Sequence, residues 1–246
     1  MKNRKPNAQW QNGLQHLLAV IDLCQDYTKS LGPRSSEISG IWSASLFLRS
    51  VVAMNAVLVL IKFGLNDDAA IIIRTIFEIE LQLGAIKEQP ELATQLVQRT
   101  EAFRCGRLKA FINAITEGRE MPEGITKEAM TERRDQIRAA IKNGPLEKKR
   151  TLRYEYQTVY SLLSDIAHVS PMGLAHYLQD DDTTGKPRVN PNGSLLAPEY
   201  LMALAATTQL NILDLVASIL KDDAPPKTEE LRKQNGAIIQ RIKAEK

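Results

Sequence analysis

Two cysteines, three histidines and an aromatic share of 5% are all that this 246-residue chain holds of the side chains most used for metal binding, redox chemistry and base stacking. Cys24 and Cys105 lie far apart with no CxxC spacing, which excludes a disulfide framework and a thiolate zinc site and fits a reducing, cytoplasmic setting. There is no glycine-rich phosphate loop, no HExxH and no GxSxG, so P-loop, zincin and α/β-hydrolase chemistry are set aside and no cofactor is expected. Asp180, Asp181 and Asp182 lack the glutamate an EF-hand loop needs, and read as a solvated acidic turn. His16, Asp22 and Asp26 interrupt the apolar region a signal peptide would need. The most apolar stretch, Ser50 to Ile61, is free of charge for twelve residues. A bilayer span needs about 20, so a buried core helix is expected there and no membrane partner.

What the chain does hold is aliphatic. Apolar residues make up 43% of it, mostly alanine, leucine, isoleucine and valine in long runs, which suits helices better than strands. The expectation is an all-α bundle of about seven or eight helices in a single domain over 1–246, with its core at about 7–221 and a C-terminal amphipathic helix over 226–245.

Helical spacing of Trp10, Leu14, Leu17, Ile21 and Cys24 predicts a first helix over 7–30, stopped by Gly32-Pro33. Ser35 or Ser36 would cap a second helix to about Phe63, and Gly64 would end it. The third, 67–87, is apolar nearly all round and is expected at the centre of the bundle. Pro90 opens a fourth to about Ile115, with Leu92, Leu96, Phe103, Phe111 and Ile115 on its buried side. A charged fifth helix over 126–143 has a thin apolar stripe of Met130, Ile137 and Ile141. The sixth covers 151–169. Residues 179–198, rich in turn formers, hold a short β-hairpin at most. Pro198 opens a seventh helix to Leu220, and an eighth starts near Thr228 with acids first and bases last, as the helix dipole favours.

Two helices carry polar stripes among apolar neighbours. On the third, Asp67, Arg74, Glu78 and Gln82 share one arc. The bland account is a solvent face with an i,i+4 ion pair, but Ile71 and Leu81 border the arc. On the sixth, Tyr160, Ser164 and His168 form an i, i+4, i+8 row. His168 falls in the last turn before Pro171, where the dipole favours imidazolium and the ring can serve as acid or base; a helix-capping histidine is the structural alternative.

The segments Ile71-Ile-Ile-Arg74-Thr-Ile-Phe-Glu78 and Tyr160-Ser-Leu-Leu-Ser164-Asp-Ile-Ala-His168 resemble a bacterial helical family of unknown function, over roughly residues 40–220. That family pairs an Arg-x-x-x-Glu helix with a Tyr-x-x-x-Ser-x-x-x-His helix and stands near the HEPN (higher eukaryotes and prokaryotes nucleotide-binding) group. The resemblance implies an all-α, HEPN-like fold and an RNA-processing, phage-defence or toxin role. In such a site His168 would be the acid/base, Arg74 would stabilise phosphate charge, Glu78 would orient one of them and Ser164 would hydrogen-bond substrate, an RNA or nucleotide. One departure stands out. HEPN ribonucleases carry an arginine four to six residues before the histidine on the same helix, whereas the nearest here is Arg153, about 22 Å away along the axis. Arg74 could substitute only if the third and sixth helices turn their polar stripes toward each other.

The net charge of +3 is concentrated: residues 127–153 hold nine Lys/Arg against four acids. Arg133, Arg134, Arg138, Lys148, Lys149 and Arg150 would be the phosphate contacts of a nucleic-acid-binding arm. Interleaved acids favour a solvated helix face instead. The competing account of the whole chain is a non-catalytic interaction or dimerisation module in which Arg74, Glu78, Ser164 and His168 form a structural network. A homodimer is expected under either, because the apolar second helix exceeds what one bundle can cover.

Overall fold

A computed structural model of the chain describes residues 8–31, 37–118, 126–140, 163–164, 166, 178–180, 187–189 and 196–244. It is an all-α bundle. Helices run over Ala8–Ser30 (α1), Ile38–Lys62 (α2), Asn66–Glu88 (α3), Glu91–Thr116 (α4), Lys127–Ala140 (α5), Pro198–Leu220 (α6) and Lys227–Ala244 (α7). Leu163, Ser164 and Ile166 are helical as well, and the rest of the expected sixth helix lies outside the described residues. The turn-rich insert carries one pair of three-residue antiparallel strands, β1 (Leu178–Asp180) and β2 (Pro187–Val189), with Gln179 opposite Arg188.

Local signals place most helix ends. At the end of α2 the Leu65 amide reaches back to the Leu60 carbonyl at 2.9 Å, and Gly64, at φ 74°, takes the left-handed turn that closure requires. Lys221 makes the same turn after α6 at φ 58°. Asp67 and Asp68 open α3, and in α7 Glu229 and Glu230 come first and Arg241 and Lys243 last, matching the helix dipole. The start of α2 differs from expectation. Glu37 occupies its N-cap without a side-chain cap bond, and Ser35 and Ser36 lie outside the described residues.

Contacts gather the chain into two compact units, Met1–Glu88 with Thr151–Lys246, and Gln89–Arg150. In the first, α6 is the axis: it packs against α1, α2, α3 and α7. Twelve of its residues are buried, four of them alanines (Ala203, Ala205, Ala206, Ala217), whose short side chains let the surrounding helices come close. The third helix, expected at the centre, is one of the packed ring. Gly13 on α1 approaches Met202 so closely that a Cβ there would stand 2.8 Å from the thioether methyl. Phe47, Met54, Ile73, Ile76, Leu83, Leu163, Leu210 and Ile212 fill the core, and Tyr27 meets Phe47 edge to face at 5.6 Å.

The second unit is built by α4 and α5, which pack on each other. Thr126 caps α5 by accepting the Ala129 amide at 3.2 Å. On α4 the expected buried side is displaced by one position: Phe111 is exposed and Ile112 buried. Ile112 stands two turns on from Cys105, whose thiol lies against the Arg134 carbonyl of α5 at 3.6 Å.

By length and composition α2 and α6 could each cross a membrane. Helix α6 is largely enclosed by its neighbours. Helix α2, whose Arg49 is the sole charge from 38 to 61, keeps one face in the core and leaves the other uncovered by the chain.

Candidate functional site

Arg74 and Glu78 sit one turn apart on α3, and the guanidinium Nε stands 3.4 Å from the Glu78 carboxylate. Their side chains are 21% and 42% exposed, and Ile71 beside them is exposed too. The arc is therefore a half-open polar edge and not a sealed pocket. Ser164 is half-buried next to Leu163, which is fully enclosed in the core of the first unit. The structure thus brings Arg74 and Glu78 together and carries Ser164 on the same compact unit. His168 lies outside the described residues.

Of the basic side chains, Arg133 and Arg134 are on α5. Arg134 pairs with Asp135 at 2.8 Å, and Arg133 donates to Gln136 at 3.3 Å, so both have partners on their own helix. Arg138 belongs to the last turn of α5, and Lys148, Lys149 and Arg150 lie outside the described residues.

The main interhelical polar cluster of the first unit was not anticipated from sequence. Glu80 on α3 is only 3% exposed. Asn211 on α6 donates to its carboxylate at 2.9 Å, and Arg232 on α7 donates to Asn211 at 2.7 Å while also pairing with Asp214. A charge sitting between Ile79 and Leu81 was the available signal, but Asn211, which donates to it, lies 131 residues away in the chain. A second cluster joins α1, α2 and α6: Gln209, fully buried, donates to the Ser50 hydroxyl at 3.1 Å and lies 3.7 Å from the Cys24 sulfur. Burial pushes the Cys24 thiol up to about 12, with the Gln209 bond opposing it, so this cysteine is inert.

A third cluster seats α7. Asn235 donates to the Ala203 carbonyl at 3.1 Å and to the Thr207 hydroxyl at 2.7 Å. His16 on α1 is buried nearby, and neither ring nitrogen makes a well-formed hydrogen bond. Burial holds its imidazole below the ordinary range, and the side chains of Gln234 and Asn235 offset part of that. These clusters join helices. None gathers three or more His, Cys, Asp or Glu side chains in metal-binding geometry among the described residues.

Neither the curated proteins nor the solved structures contain a match to this chain. A family of unknown function (DUF5677) matches residues 40–186, a span that includes both the Arg74-x-x-x-Glu78 and the Ser164-x-x-x-His168 segments. Since that span is more than half of the 246 residues, the chain belongs to the DUF5677 family.

Proposed function

We propose that the protein is a helical interaction module whose working surface is the outer face of α2. One observation carries this reading: Ile38, Ile41, Leu48, Val52, Val59 and Phe63 are all exposed on a helix whose other face is locked into the core. Exposed apolar side chains on this scale mark surfaces that associate. The buried polar groups are consistent with a scaffold, since Glu80, Gln209 and Asn235 each bond across helices.

A second reading, a HEPN-like RNA-processing or toxin protein, rests on the resemblance carried by the Arg74-x-x-x-Glu78 and Tyr160-x-x-x-Ser164-x-x-x-His168 segments. In it His168 acts as acid/base, Arg74 neutralises phosphate, Glu78 orients Arg74 and Ser164 holds substrate, with Arg133, Arg134, Arg138, Lys148, Lys149 and Arg150 as phosphate contacts.

The test sets the two against each other. Purified full-length protein is incubated with structured and single-stranded RNA, and expressed in cells for toxicity, beside His168→Ala and Arg74→Ala. The module reading expects no cleavage and no toxicity from the parent, and an association with protein or lipid that Leu48→Glu with Val59→Glu removes. Cleavage by the parent that both alanine variants lose while still folded would overturn it in favour of the nuclease.

A further inference from the structure

We infer that the outer face of α2 is covered by a second copy of this chain, lying antiparallel to the first about a two-fold axis at Val52; this rests on the interaction-module reading above. Val52 is 70% exposed and Phe63 68%. At 100° per residue, Ile38, Ile41, Ser45, Leu48, Val52, Ala56, Val59 and Phe63 fall in one arc running the length of the helix. The five large side chains from Ile41 to Phe63 present on the order of 600 Å² of apolar surface, at the top of the roughly 300 to 600 Å² of the largest patch on a typical monomer and approaching the about 800 Å² each partner contributes to a standard interface.

The stripe is self-complementary, which is what commits it to a second copy. From Ile41 to Phe63 its spacing reads the same in both directions about Val52. In a two-fold antiparallel pair, Ile41 comes level with Phe63 of the second copy, Ser45 with Val59, Leu48 with Ala56, and Val52 with itself. Each small residue then meets a large one, and every contact occurs twice. A parallel pair in register would set Leu48 on Leu48 and leave gaps at Ser45 and Ala56, besides aligning the two helix dipoles unfavourably. Arg49, the only charge in the helix before Lys62, comes level with Asn55 and meets no like charge.

A bilayer is the competing occupant. Against it, the opposite side of α2 is fixed in the bundle through Phe47, Met54 and Ile61, and Arg49 stands at mid-length beside the stripe where a membrane-buried face would exclude it.

The experiment is sedimentation velocity or light scattering on the full chain across a range of micromolar concentrations, with circular dichroism as a control for folding. The parent is expected at twice the chain mass and Val52→Glu at the chain mass, because the substitution sets two carboxylates against each other on the axis. Mixing Val52→Glu with Val52→Lys should restore the double mass, which a folding defect could not do. Val52→Cys should form an intermolecular disulfide under mild oxidation, and a Leu48→Cys chain should cross-link to an Ala56→Cys chain. A parent that stays monomeric, or a dimer indifferent to Val52→Glu that gives no Val52→Cys cross-link, overturns the proposal. If the monomeric parent instead binds phospholipid vesicles in a manner lost in Val52→Glu, self-association fails while the interaction face stands. If it binds neither, both fail.

Discussion

Asn211 on α6 donates its amide to the Glu80 carboxylate on α3 at 2.9 Å while accepting from Arg232 on α7 at 2.7 Å, so one side chain holds three helices in register. Replacing Asn211 by leucine removes a donor from a buried carboxylate and an acceptor from a guanidinium. Urea unfolding of Asn211→Leu should show a loss of about 1 to 3 kcal/mol. Arg232→Met should cost less, because Arg232 and Asp214 are partly open to solvent.

Gln209 is enclosed completely and joins α6 to Ser50 of α2. Gln209→Ala leaves a cavity and removes the bond that the Ser50 hydroxyl accepts, while that hydroxyl keeps its own bond to the Phe47 carbonyl at 2.7 Å, and should destabilise by about 2 to 5 kcal/mol in the same assay. Cys24, beside it, should resist a thiol reagent until the protein unfolds. Half-buried Cys105 should react in the native state, giving one fast thiol in buffer and two in denaturant.

His16 makes stability depend on pH. Its folded-state pKa is lowered, chiefly by burial, so the folded protein disfavours the imidazolium that the unfolded chain accepts freely. The native state is therefore at its full stability above about 6.5, the ordinary imidazole value, and loses stability as pH falls from there toward the lowered folded value. Denaturant midpoints at pH 7.5 and 5.5 should differ more in the parent than in His16→Gln. An equal drop in both would assign the effect to carboxylates.

The Arg74–Glu78 pair is half open to solvent, so its coupling is small. A double-mutant cycle with Arg74→Ala and Glu78→Ala should return about 0.3 to 0.5 kcal/mol and shrink in high salt. A coupling several times larger would point to a sealed, functional environment around the pair.

Much of the architecture was legible because helix ends and amphipathic periods are local. Gly64, Pro90 and Pro198 sit at helix ends with the roles their backbone chemistry gives them. Among its described residues the turn-rich insert holds a three-residue strand pair. Phe111 shows the limit of periodicity: it and Ile112 are both apolar, and which one is covered depends on where α5 lies. The isoleucines of α3 suggest a central place for it, yet the axis is α6, because close approach of four helices needs small alanines more than it needs bulk. Arg74 and Glu78 were found as a pair since i,i+4 contact is a property of one helix. Glu80 carries no such local signal, since the Asn211 amide that bonds it belongs to another helix.

By itself the sequence determined the helices, their ends, their charge polarity and the absence of familiar catalytic motifs, because each depends on residues within a few positions of one another. Only the tertiary structure decided which apolar faces are covered and which polar groups are tied together. It enclosed α6 and left the outer side of α2 uncovered within the chain, although α2 is the more apolar of the two as a string of letters. The reason is that burial is set by the neighbours a helix acquires from far along the chain, a quantity that no local period records.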